Sequence, residues 1–200
     1  MLMRLPLRVP GVAVVVGLVI AASGCRGQAP RPSEGIYVPT ATVRDLMLSI
    51  VDPSADVVWD AVRTVVGADG TENHAPRTDQ EWADVRQGAI RLVEAANLLM
   101  VPGRQVARPD EHSEAPGVEL EPAEMEALVN ADRQAWVERV QSLRNLGLAV
   151  LQAIDAKDAG RLFETGGELD TACENCHRQY WYPNEQLPVL PAVPTSTRRP

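Results

Sequence analysis

Apolar residues recur at helical spacing along most of the chain. Between Val43 and Val65 they fall at Val43, Leu46, Met47, Ile50, Val51, Val57, Val58, Ala61, Val62 and Val65. Steps of three and four residues put such a set on one face of a helix. Thr42 followed by Asp45 is a start signal, although Glu or Gln is the usual third residue of a capping box. Pro53 lacks an N–H and crowds the turn before it, which predicts a kink or short break near Asp52. Gly67 and Gly70 close the segment. A second helix opens at Thr78, where Glu81 completes a capping box, and runs through Trp82, Val85, Leu92 and Ala96 to Leu99 before Pro102-Gly103 ends it. The polar stretch from Gly103 to Leu120 reads as a loop. Pro122 suits the first position of a third helix that carries Met125, Leu128, Val129, Trp136, Val140, Leu143, Val150 and Ile154. A link from Asp155 to Asp158 leads to a fourth helix with Leu162, Phe163, Leu169, Cys173, Cys176, His177 and Tyr180, stopped by Pro183. Gly166 and Gly167 weaken its middle, which points to a close backbone approach there. No strand is expected between these segments. The pattern predicts an all-α fold, an antiparallel up-down-up-down four-helix bundle over residues 42–182.

The ends of the chain follow other patterns. Arg4 and Arg8 precede an apolar run from Val12 to Ala22, and Ala22-Ser23-Gly24 lead into Cys25. A charged start, a short apolar stretch and a small-residue exit describe an export signal over residues 1–24. The run is too short to span a bilayer comfortably. Its exit resembles the lipobox of bacterial lipoproteins, which implies that Cys25 is lipidated and becomes the new N-terminus. The protein is then expected at the periplasmic face, held to a membrane by its lipid. Residues 25–41 form a Pro-rich tether, and residues 183–200 form a second Pro-rich, mobile tail.

Composition narrows the partners. The net charge of −8, with no cluster of Lys and Arg in the body of the chain, excludes nucleic acid as the expected ligand. The apolar content is mostly Ala, Val and Leu with a single Phe, which suits helix-on-helix packing better than a β-sandwich. The four tryptophans, Trp59, Trp82, Trp136 and Trp181, are expected to be structural, three of them filling space on or near apolar helix faces.

The chemistry sits in Cys173-Glu174-Asn175-Cys176-His177. This is the C-x-x-C-H pattern of c-type haem attachment. Each thiol forms a thioether with one haem vinyl, and the adjacent histidine supplies a nitrogen to the iron. Two other chemistries use paired cysteines. A structural zinc site needs further ligands, and His74 and His112 are the only other histidines. A redox dithiol wants the pair at a helix N-terminus, whereas this one lies late in its helix. One covalent haem c is therefore the expected cofactor, with His177 as axial iron ligand.

A single C-x-x-C-H near the end of the last of four helices resembles the cytochrome c′ family. The likeness covers roughly Thr42 to Tyr182, and its specific motif spans Gly167 to Trp181. Tyr180 matches the family's aromatic three residues after the histidine, and Trp181 stands where the family commonly has arginine. In an up-down-up-down bundle the start of the first helix and the end of the fourth share one end, so Met47 lies level with His177. Met47 is the candidate sixth ligand or a bulky lid, with Leu46 and Leu48 as rivals, because helical neighbours point about 100° apart. Met100 and Met125 are expected to wall the same haem pocket, with Leu99 and Leu128 beside them. Arg44, Arg104 and Arg178 are candidates to pair with haem propionates. The expected function is electron transfer to an unidentified redox partner protein, not enzymatic turnover. A five-coordinate binder of NO or CO, and a haem-free binding module, are the alternatives. A homodimer through a helix face is compatible with such a bundle.

Overall fold

The computed structural model describes residues 37–68 and 70–185. Cys25, the export signal, most of the tether and the end of the tail lie outside them. The described chain is mostly helical with one small two-stranded sheet. Its elements are α1 (Val43–Leu46), a π turn (Met47–Val51), α2 (Asp52–Ala61), β1 (Arg63–Gly67), β2 (Gly70–His74), α3 (Asp79–Leu99), α4 (Pro122–Ala131), α5 (Arg133–Asp155) and α6 (Ala159–Tyr180).

Local chemistry sets most of these boundaries. Thr42 starts α1 with a complete capping box: its hydroxyl accepts from the Asp45 N–H at 3.0 Å, and the Asp45 carboxylate accepts from the Thr42 N–H at 3.0 Å. Asp therefore serves where Glu is more usual. Thr78 and Glu81 form the expected box on α3. The irregularity expected from Pro53 takes the form of the π turn one turn ahead of it. There the Asp52 N–H donates to the Met47 carbonyl, five residues back. Proline cannot donate to the carbonyl four residues before it, and widening the preceding turn relieves the clash of its ring.

Two boundaries differ from the expectation. The apolar periodicity through Val62 and Val65 continues past the end of α2, yet the chain there forms an antiparallel hairpin, Val65 opposite Glu72 and Thr64 opposite Asn73. The β-branched run Thr64-Val65-Val66 favours strand, and Gly70, with φ +126°, completes the turn. The hairpin is exposed along nearly its whole length, so its valines are not core residues. The expected third helix is also split. Asp132, at φ −139° and ψ 79°, interrupts it, and its carboxylate accepts the Ala135 N–H at 2.9 Å to cap α5.

The helices pack around one core. α3 lies against α2 and α5, α5 against α6, and α6 back against α2. Val58, Leu92, Leu99, Val150, Leu162 and Leu169 are its fully buried centre. Close helix approaches fall at Gly88 and Gly147: a Cβ on Gly88 would lie 2.7 Å from Val57 Cγ1, and one on Gly147 would lie 2.8 Å from Val93 Cγ2. Of the glycine pair in α6, Gly166 lies against the Trp59 ring, whereas Gly167 faces open space. The close-approach reading therefore holds only for Gly166.

Candidate haem-attachment site

Cys173, Cys176 and His177 all line one cavity of about 320 Å³. Their spacing of three and four residues places them on one face of α6. Both thiols are free and half-buried. Burial, reinforced by Cys176 and by the carboxylates of Asp170, Glu174 and Asp52, pushes the Cys173 thiol up to about 12. Burial pushes Cys176 up to about 11, against the pull of the Arg139 guanidinium. A redox dithiol works through a thiol whose pKa is lowered. These two are held protonated, which argues against that chemistry.

The chain beyond α6 folds back around His177. The Trp181 and Tyr182 N–H groups both donate to the His177 carbonyl, at 2.7 and 3.0 Å. The Trp181 ring stands edge-on to the imidazole with centroids 5.1 Å apart, and the Tyr182 ring lies 5.8 Å away. The Tyr182 hydroxyl donates to Glu174 at 2.9 Å, which anchors that ring one turn back on α6. Burial lowers the His177 pKa, although Glu174 and Asp52 oppose it. Burial thus favours the neutral imidazole, the form in which a histidine ligates a metal.

The opposite elements supply mostly apolar walls. Met47 and Leu48, both on the π turn, line the cavity, whereas Leu46 turns into the core and is removed as a rival. Leu99, Met125, Trp136, Val140 and Leu143 add to the lining. The Trp136 indole N–H donates to the Leu99 carbonyl at 3.2 Å, so its one polar atom is satisfied inside the wall.

Met100 is a correction. It caps α3 and packs at the edge of the core without lining the cavity, and its carbonyl accepts from Arg133 at 3.0 Å. Leu128 is likewise absent from the lining and exposed. Of the expected cations, Arg44 reaches the cavity and pairs with Glu111 and Glu114. Arg104 does not: its guanidinium donates to the carbonyls of Leu98 and Ala41. Arg178 pairs with Glu174 along α6 at 3.5 Å.

Several lining residues have no local signature in the sequence. Arg139 of α5 reaches the cavity and donates to Gln179 at 2.8 Å. The loop between α3 and α4 lies across the cavity as a strap, contributing Ala107, His112, Ser113 and Glu119. Backbone bonds from Val43 and Arg44 to the carbonyls of Gln105 and Val106, both 2.9 Å, fix its first half to α1. Its far end is fixed where the Leu120 N–H donates to the Trp181 carbonyl at 2.8 Å. The polar loop was expected; its place over the site was not.

The residues fit a covalently held haem. Two thiols and an imidazole converge on a cavity with an apolar wall, and its volume falls in the range of about 300–1,000 Å³ typical of ligand sites. Among the described residues no group of three or more His, Cys, Asp and Glu side chains is placed to hold a metal ion. No helix among the described residues is long and apolar enough to cross a membrane. No protein-family model, curated protein or solved structure matches the chain.

Proposed function

We propose that this chain is a monohaem c-type cytochrome, a four-helix bundle lipoprotein that carries electrons at the periplasmic face of a membrane. One observation carries the reading: Cys173, Cys176 and His177 open together into an apolar-walled cavity that Met47 also lines. The circuit of contacts from α2 to α3, α5, α6 and back to α2 supports an up-down-up-down bundle, the first of its four rods being α1, the π turn and α2. Bound haem c would supply a one-electron iron couple.

The chain's own residues do the rest. Cys173 and Cys176 would hold the group covalently, so that it would not be lost by dilution. His177 offers a neutral nitrogen, with Trp181 and Tyr182 fixing its ring. Leu99, Trp136, Val140 and Leu143 exclude water, and the strap covers the remaining side. The Met47 thioether is the donor available for a sixth position, and a methionine ligand raises the potential. Leu48 lines the same cavity. That observation favours a second reading, in which an apolar side chain leaves the iron open to NO or CO. Residues 1–24 direct export and Cys25 carries the lipid. The role proposed for the chain is that of an electron carrier and not of an enzyme.

The test is expression in a host with c-type haem maturation, followed by a haem stain on a denaturing gel and optical spectra of both redox states. Stained protein with a low-spin spectrum and a methionine-to-iron charge-transfer band, lost in Met47→Leu, is expected. A high-spin spectrum that shifts with CO transfers the assignment to gas binding. Unstained protein, with the maturation machinery working on a control, refutes both.

A further inference from the structure

Met47 shares the cavity of the cysteines with a second kind of donor. Haem iron takes its axial ligands from His, Cys, Met or Tyr side chains. Beyond Cys173, Cys176 and His177 themselves, the described lining holds three residues of these kinds: Met47, Met125 and His112. His112 is the imidazole among them, and it comes from the middle of the strap. The Arg44 guanidinium fixes its backbone: one Nη donates to the His112 carbonyl at 3.2 Å, and the other pairs with Glu114. Arg44 stands three residues before Met47, a rise of about 4.5 Å along a helix. The strap therefore carries His112 to the α1 side of the cavity, at the level of the turn before Met47, whereas His177 stands on α6.

The surroundings of the ring suit a metal ligand. His112 Nδ1 faces the Glu121 carboxylate at 3.5 Å. The same oxygen accepts from the Ser113 N–H at 3.4 Å, and Glu121 is itself seated at the start of α4. A carboxylate at one ring nitrogen is the usual companion of a histidine that binds metal through the other. It keeps the proton on Nδ1 and leaves Nε2 with its lone pair. The His112 side chain is 78% exposed, so it can turn without disturbing the core. Met125, by contrast, packs against the core.

We propose that His112 is a second donor for the sixth position of the haem iron, taking it through Nε2 when Met47 does not hold it. Glu121 is the residue that positions its ring. The inference rests on the cytochrome reading above. One neutral donor replaces another, so no electron moves, and the Nδ1 proton stays beside Glu121. An imidazole in place of the thioether removes the rise in potential that methionine gives, and a filled sixth position keeps NO and CO off the iron.

The experiment compares two variants of the haem-loaded full chain, Met47→Leu and the double variant Met47→Leu with His112→Ala. Optical and electron paramagnetic resonance spectra are taken of the ferric form, and the ferrous form is mixed with CO. Far-UV circular dichroism confirms that each is folded. Met47→Leu is expected to stay low-spin, with the signature of two imidazole ligands. The double variant is expected to turn high-spin, to bind CO at least tenfold faster, and to return to low spin on adding free imidazole. A high-spin Met47→Leu overturns the proposal, as does a double variant that stays low-spin or that imidazole does not rescue. Haem staining of the same preparations separates the two readings. Stained protein with any of those overturning results refutes the His112 ligand alone, whereas unstained protein refutes the cytochrome reading on which it rests.

Discussion

Glu119 is the residue on which the strap over the cavity is tied. Its carboxylate accepts from the Ser113 hydroxyl at 3.1 Å and from the N–H groups of Glu114 and Ala115 at 2.9 and 3.1 Å. Burial alone would raise its pKa; these bonds and one from the Trp181 side chain outweigh it and hold the carboxyl below its ordinary 4.5. A lowered carboxylate pKa stabilises the fold above the unfolded-state value, and the stabilisation is lost as pH falls through the folded-state value. Glu119→Gln is therefore expected to lower stability at pH 7 and to flatten the acid loss below about pH 4.5, read from urea melts at a series of pH values. Nothing in the sequence around Glu119 marks it for this role. Cys173, Cys176 and His177 were legible because five consecutive residues contain the whole motif, whereas the partners of Glu119 and Arg139 are brought to them by folding.

At the scale of elements, glycines in helices separate two effects that the sequence cannot. Alanine in place of glycine favours a helix by about 1 kcal/mol. At Gly88 the new Cβ would stand 2.7 Å from Val57 Cγ1 and 3.4 Å from the Ser54 carbonyl, where α2 and α3 meet. Overpacking of that kind costs about 1–3 kcal/mol. Gly88→Ala is expected to destabilise by about 1 kcal/mol net, whereas Gly167→Ala, with nothing within 4 Å of its Cβ, is expected to stabilise by about 0.5–1 kcal/mol. Chemical denaturation of the two variants checks the sign in each case. Helix starts were readable because a cap is a matter of three or four neighbouring residues, as at Thr78 and Pro122. The hairpin after Ala61 and the break at Asp132 were missed because periodicity ran through both places.

For the whole molecule, the cytochrome reading places the domain on a lipid through Cys25. Stable anchoring takes more than one acyl chain, since a single chain binds only marginally. Cys25→Ser is accordingly expected to move the protein from the membrane fraction to the soluble exported fraction, with the haem stain unchanged. Retention of the variant on membranes would refute the anchor.

What the sequence determined by itself was local: helical periodicity, capping boxes, the position of the proline-induced irregularity, and a thiol–thiol–imidazole set on one helical face. Each depends on residues within about one turn of each other, where covalent geometry leaves few options. What only the tertiary structure decided was which distant side chains surround that set. It placed Met47 and Leu48 on the cavity and moved Met100 and Arg104 away from it. It drew the strap across, and it brought Trp59 to the lining of the same cavity. Those choices follow from how the helices pack against one another, and side chains far apart in sequence become neighbours only through that packing.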